Sequence, residues 1–211
     1  MNDGLVVAVI DDDEAVLDSL RMMLGRYDFK VHSFTSAEDF LANRDRESAC
    51  CVVCDVRLPD MSGLELQAEL QKRKSAVPVV LITGHGDINM AVSAVKAGAH
   101  DFLEKPFSPD RLIETIKAAV DKAHNRLAED RELQRLASRV NELSDRQKQV
   151  MDLAVKGLSN KEIAQNLQIS PRTVETYRAW VMEKTGARNI AELVRLAMRL
   201  QDGEHSLLPP S

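Results

Sequence analysis

The 211-residue chain is 44% hydrophobic and 29% charged, carries a net charge of −5 and holds three cysteines. These proportions are ordinary for a globular protein, and the length is comfortable for two domains. No stretch approaches the ~20 apolar residues of a membrane span, no basic region followed by an apolar run opens the chain, and an odd cysteine count argues against a disulfide framework, so a cytoplasmic protein is expected.

The charge is unevenly spread: residues 1–120 sum to −7, 121–143 are balanced, 144–200 sum to +4, and the last eleven add −2. An acidic front and a basic back predict different partners for the two ends, with nucleic acid the candidate for the back.

Short apolar runs alternate with helical patterns along the front. "LVVAVI" (5–10) precedes a helix over roughly 13–26, on which Leu17, Leu20 and Leu24 keep the spacing of one face. "KVHSF" (30–34) precedes a helix over 36–43, and "CCVVCD" (50–55) precedes one over 63–73. "PVVLIT" (78–83) is followed by a helix over 87–97, and "DFLEK" (101–105) by one over 109–122. Ser36, Ser62, Asp87 and Ser108 stand where caps are needed. Near-continuous apolar strands bounded by helices predict a parallel sheet covered on both faces. Strand alternation turns Cys50 and Cys54 away from Cys51, and all three are expected to be buried structural thiols.

Ligand sites in an open parallel sheet gather at the C-terminal strand ends. Those ends carry Asp11 and Asp12, Asp55, Thr83 and Lys105. Clustered carboxylates suit a hard cation such as Mg²⁺, and a lysine with a hydroxyl suits a phosphate beside it. A carboxylate held there can attack a phosphoryl group whose charge the metal neutralises. Asp13 runs directly into a helix and reads as a first-turn carboxylate facing the helix dipole. His85, flanked by glycines, reads as a turn residue rather than an acid or base.

"VIDDDE", "CDVRLPDMSG", "LITGHGD" and "DFLEKPF", in that order, resemble the receiver domain of two-component response regulators over roughly residues 5–122. The resemblance implies a five-stranded doubly wound α/β sheet of order 2-1-3-4-5. It implies phosphorylation of Asp55 by a sensor histidine kinase, and Mg²⁺ held by Asp11, Asp12, Asp55 and the main-chain carbonyl of Arg57. It further implies that Lys105 pairs with the phosphate, that the Lys105–Pro106 bond is cis, and that Thr83 moves toward the phosphate while Phe102 fills the space it leaves. Val92, Val95 and Lys96 would then lie on a surface that dimerises on phosphorylation.

Residues 123–143 lack Gly and Pro and read as a helical linker, with Leu133, Leu136, Val140 and Leu143 on one stripe that either packs on a partner copy or stays a solvated connector. Four helices follow, over 145–156, 160–167, 171–184 and 190–201, within a domain spanning 144–201; residues 202–211 are expected to form a flexible tail. Ser159 caps the first helix of a helix-turn-helix, "QIS" makes the turn, and Ser170 with Pro171 opens the second helix. Lys161, Arg172, Thr173, Glu175, Thr176 and Arg178 are the candidate DNA contacts, Arg178 toward the backbone and Glu175 toward a cytosine amine. Trp180 is expected to pack in the core or on its flank.

With the flanking "LSDRQKQVMDLAVKGLSNKEIA" and "NIAELVRLAMRL", this region resembles the LuxR-type output domain of NarL/FixJ regulators, and "TGHGD" fits the FixJ-like branch. The resemblance implies a transcription factor that binds promoter DNA, forms a homodimer when phosphorylated and engages RNA polymerase. Glu175 and Ala179 depart from the basic reading face of many relatives. The rival reading is a Mg²⁺-dependent phosphotransferase or phosphatase with an aspartyl-phosphate intermediate, which would need a cap over Asp55 that the sequence does not supply.

Overall fold

The computed structural model describes residues 4–43, 46–59, 61–84 and 98–206. The expected helix over 87–97, with Asp87, Val92, Val95 and Lys96, lies outside the described residues, as does His85. The chain divides into two compact units, Met1–Leu127 and Ala128–Ser211.

In the first unit, β1 (Val6–Ile10), β2 (Lys30–Phe34), β3 (Ala49–Asp55), β4 (Val79–Thr83) and β5 (Asp101–Glu104) form one parallel sheet of order β2-β1-β3-β4-β5. Alternation along the central strands divides the core in two. Val7, Val9, Cys51, Val53, Val80 and Ile82 meet Leu17, Leu20 and Leu24 of α1 (Glu14–Gly25) and Leu112 and Ile116 of α4 (Pro109–Asn141). On the opposite face Ala8, Ile10, Val52, Cys54 and Leu81 meet Phe40 of α2 (Ala37–Ala42) and Leu66 and Leu70 of α3 (Gly63–Lys72). Each fully buried aliphatic or aromatic side chain contributes roughly 1.5–3 kcal/mol, so both layers of helices are held by the sheet they cover.

One strand breaks the alternation. Val6 pairs with Ala49 but Val7 pairs with Cys51, so Cys50 is an extra residue at a β-bulge. It therefore packs against the same cluster as Cys51, while Cys54 lies in the other. None of the three cysteines is in a disulfide, and burial pushes the thiol of Cys50 up to about 11 and that of Cys51 further up.

The helices start where side-chain acceptors were expected. Asp13 caps α1, its carboxylate accepting from the Ala15 amide at 2.8 Å. Ser36 caps α2, Ser62 forms a capping box with Glu65 at α3, and Ser108 accepts from the Arg111 amide at 3.2 Å. Helix α4 is a single element of 33 residues, so the expected helix over 109–122 and the expected linker are continuous. No Gly or Pro interrupts them.

The second unit is helical. It contains α5 (Asp145–Val155), α6 (Asn160–Leu167), α7 (Pro171–Thr185) and α8 (Ile190–Ser206). Val150, Ala154, Ile163, Ala164 and Val174 form one cluster; Leu143, Met151, Val181, Ala187 and Leu193 form a second. Val140 and Leu196 pack against that second cluster, and Leu136 is buried. The C-terminal half of the linker stripe is thus core of its own unit and not a solvated connector. An ion pair from Arg199 to Glu132 at 2.8 Å and a bond from Lys184 Nζ to the Glu142 carbonyl at 2.9 Å tie the same stretch down. Helix α8 runs to Ser206, past the start of the expected tail; Gly203 costs a helix only about 1 kcal/mol and does not end it. No helix among the described residues is long and apolar enough to cross a membrane.

Candidate functional site

The C-terminal edge of the sheet assembles residues far apart in sequence. Asp11 follows β1, Asp55 ends β3, Thr83 ends β4 and Lys105 follows β5. The Lys105 amide donates to the Thr83 carbonyl at 2.7 Å, and the Lys105–Pro106 bond is cis. From there the ammonium reaches Asp11 Oδ2 at 2.9 Å and Asp55 Oδ2 at 2.6 Å. Asp11 Oδ1 accepts from the Asp13 amide at 3.0 Å, and Asp55 Oδ1 from the Arg57 amide at 2.8 Å.

Asp11 and Asp55 are 2% and 8% exposed, and Thr83 is fully buried. Burial pushes the Asp11 carboxyl above its ordinary value, and the bonds from Lys105 and the Asp13 amide recover only part of that shift. Burial also works against the Lys105 charge, but the bonds to Asp55 and Asp11 outweigh it and hold the amine above its ordinary value. Two buried carboxylates share one ammonium, so the pair keeps a negative charge to be balanced. That imbalance, with oxygen as the only donor type, fits a hard divalent cation such as Mg²⁺. Asp12 is exposed beside the pair, and no three His, Cys, Asp or Glu side chains among the described residues are gathered closely enough to hold a metal ion. The lysine, rather than a third carboxylate, joins Asp11 to Asp55. Phe102 is half-buried on β5, paired in register with Leu81 and packed against the α2–α3 side of the core.

In the second unit, α6 and α7 are joined through Gln168 in the left-handed conformation, followed by the Ser170 cap. Lys161, Arg172, Glu175 and Thr176 are exposed. Thr173 is half-buried, its amide donating to Ser170 Oγ at 3.1 Å and its hydroxyl 2.8 Å from the same atom. Arg178 is half-buried too, and its Nη1 donates to Asn160 Oδ1 at 2.8 Å. It braces the start of α6 against α7. Trp180 is 46% exposed and stands on the flank of the core, its ring 5.7 Å from that of Tyr177.

Residues 7–117 match the family described as "Response regulator receiver domain", and residues 141–197 match "Bacterial regulatory proteins, luxR family". The transcriptional regulatory protein FixJ of Bradyrhizobium diazoefficiens is 47% identical, over 92% of this chain and 94% of its own. The response regulator protein TodT of Pseudomonas putida is 39% identical, over 93% and 87%. Among solved structures, response regulator StyR aligns over 93% of this chain and 99% of its own, with 38% identity and a TM-score of 0.76. The chain belongs to the NarL/FixJ family of two-component response regulators. It is a DNA-binding regulator, and the rival small-substrate phosphotransferase is not favoured by relatives that span over nine-tenths of its length.

Within this NarL/FixJ chain, one site residue escaped the sequence reading. Gly63 is the first residue of α3, and its amide donates to the Val56 carbonyl at 3.0 Å. A Cβ there would stand 2.6 Å from the Asp55 carbonyl and 2.9 Å from Leu81 Cδ2. Backbone, unlike a flexible side chain, cannot step aside cheaply, so only glycine lets α3 start against the end of β3. The available signal was a poor helix former in a first turn. Gly63→Ala is expected to destabilise the first unit by about 1–3 kcal/mol, read as a lower thermal midpoint, because overpacking shifts β3 and α3 apart. An unchanged midpoint would mean that the contact relaxes freely.

Proposed function

We propose that Asp55 accepts a phosphoryl group from a sensor histidine kinase and that the second unit carries the result to promoter DNA. The observation that supports this best is the Lys105 ammonium bonded to both Asp11 and Asp55, because a buried acceptor carboxylate needs a neighbouring cation to receive further negative charge.

In this reading an Asp55 carboxylate oxygen attacks phosphorus, and the bond from phosphorus to the kinase histidine breaks with its electron pair leaving on nitrogen. Lys105 holds a phosphoryl oxygen; Thr83 donates a hydrogen bond to another. Asp11, Asp12, Asp55 and the Arg57 carbonyl would hold Mg²⁺, which neutralises phosphoryl charge. Phosphorylation adds roughly −1.5 to −2 charges and three acceptor oxygens. Thr83 turns toward them and Phe102 takes up the vacated space, reshaping the surface of Val92, Val95 and Lys96 through which two copies associate.

Arg172, Thr173, Glu175 and Thr176, with Lys161, then meet duplex DNA as the leading end of a recognition helix. The protein works in the cytoplasm, as a homodimer that engages RNA polymerase.

The test is to treat the full chain with acetyl phosphate and Mg²⁺ and to follow mass by sedimentation and DNA binding by anisotropy. The expected result is a doubled mass and tighter, salt-sensitive binding. Label incorporated with no change in either measure would overturn the coupling.

A further inference from the structure

We infer that Trp180 is a DNA-contacting residue, covering the sugar–phosphate strand along one flank of α7. This extends the proposed DNA reading and rests on it. Tryptophan is usually largely buried, yet Trp180 is 46% exposed on a helix whose inner face is fully packed. Its ring lies 5.7 Å from that of Tyr177, tilted by 56°, and Tyr177 is itself packed against the Val174 cluster. The indole is thus propped from the inner side and presents its outer side to solvent.

The position on the helix decides the occupant. At about 100° per residue, buried Val174 and Val181 mark the inward direction. Arg172, Thr176 and Ala179 then fall within about 30° of the opposite, outward direction. Trp180 lies about 70° to one side of it and Glu175 about 70° to the other. Trp180 is also about 12 Å further along the axis than Arg172, a distance comparable to the ≈ 12 Å width of a major groove. With the helix start reading base edges, a flank residue two turns on faces the groove wall, where deoxyribose and phosphate run.

Ser170, Arg172, Thr173, Thr176, Tyr177 and Trp180 line one shallow cleft, so the aromatic surface is continuous with the reading face rather than separate from it. Cation, hydroxyls and indole suit that wall. The ring face covers a sugar, the Nε1–H donates to a phosphate oxygen, and the +4 charge of residues 144–200 draws the strand in. Glu175, on the far flank, keeps its carboxylate away from this strand.

Trp180 is the chain's single tryptophan, so its emission reports on this place alone. The acetyl-phosphate-treated full chain is titrated with a duplex selected by the wild-type protein from a random pool, and with a scrambled duplex. The expected result is that emission changes in step with the anisotropy of labelled DNA. Trp180→Ala should weaken both duplexes alike, by about tenfold, with the thermal midpoint and the preference between duplexes unchanged.

Unaltered affinity in Trp180→Ala with unaltered wild-type emission overturns the inference; Arg172→Ala that still weakens binding would show that the DNA reading survives. Weakening confined to the selected duplex overturns the strand contact in favour of base reading. Emission that follows protein concentration without DNA assigns the ring to a second copy and also overturns it. Wild-type protein that retains no duplex from the random pool removes the DNA reading and this inference together.

Discussion

Asp55→Asn is expected to reduce phosphoryl incorporation from acetyl phosphate to background while leaving the first unit folded. The amide keeps the shape of the side chain, and its single oxygen can accept from either the Arg57 amide or the Lys105 ammonium that now hold Asp55 Oδ1 and Oδ2, so one of these two bonds is given up. What it loses is the anionic oxygen, and a neutral amide is a poor nucleophile toward phosphorus. Stability should hardly fall, because the wild-type site sets two buried carboxylates against one ammonium. Removing one leaves a balanced Asp11–Lys105 pair and relieves the repulsion that Asp55 exerts on Asp11. The thermal midpoint should stay within about 5 °C of wild type or rise. Label that persists in the variant would place the acceptor elsewhere; a collapsed midpoint with lost label would make Asp55 a structural residue first. Mass spectrometry of the labelled chain and a melting curve on the same preparation read both outcomes.

The parts of this arrangement that could be read from the sequence are those written in periodic patterns. Five apolar runs separated by helical spacings predict the parallel sheet, and the residues just past each run then fall at one edge without any further assumption. Leu17, Leu20 and Leu24 are buried because a three- and four-residue spacing has no other use on a helix that must cover a sheet. Cys50 shows where such reasoning stops: a bulge adds one residue without changing composition, and every assignment upstream of it on β3 changes face.

Contacts made by single atoms were equally hidden. Nothing in the order of residues couples Gly63 to the Asp55 carbonyl, or Arg178 to Asn160 across eighteen positions. The degree to which Trp180 is exposed is a different case: residue type predicts burial on average and leaves core and flank open, whereas the azimuth on α7, about 100° from Val181, is fixed by the helical period and selects the flank. The continuity of α4 was available too, since the stretch lacks any helix breaker; the division at residue 122 came from the extent of the receiver resemblance rather than from local chemistry.

Lys105→Met is expected to have the opposite signature to Asp55→Asn: lower stability, restored by Mg²⁺. The substitution keeps the apolar stem and removes the charge bonded at 2.9 Å to Asp11 and 2.6 Å to Asp55. Two carboxylates that are 2% and 8% exposed would then face each other without a counter-charge. Breaking a fully buried pair costs 3–5 kcal/mol; the lysine side chain is 28% exposed, and solvent screening brings the expected loss down to about 1–3 kcal/mol. A midpoint lowered by roughly 3–10 °C follows. The loss should also depend on pH. Asp11 already ionises above its ordinary value because burial penalises the anion, and losing the ammonium raises it further. A carboxyl whose folded pKa is raised destabilises the fold once ionised, so the deficit is largest at neutral pH and shrinks as pH falls through that raised value. A divalent cation that binds only the folded chain stabilises it by about 2.7 kcal/mol at a hundred times its dissociation constant. With the ammonium gone, Mg²⁺ becomes the main compensation, and its effect on the midpoint should exceed that on wild type. Melting curves at neutral and mildly acidic pH, each with and without Mg²⁺, separate these effects. Equal Mg²⁺ shifts in the two proteins would show that the cation and the lysine do not balance the same pair of carboxylates.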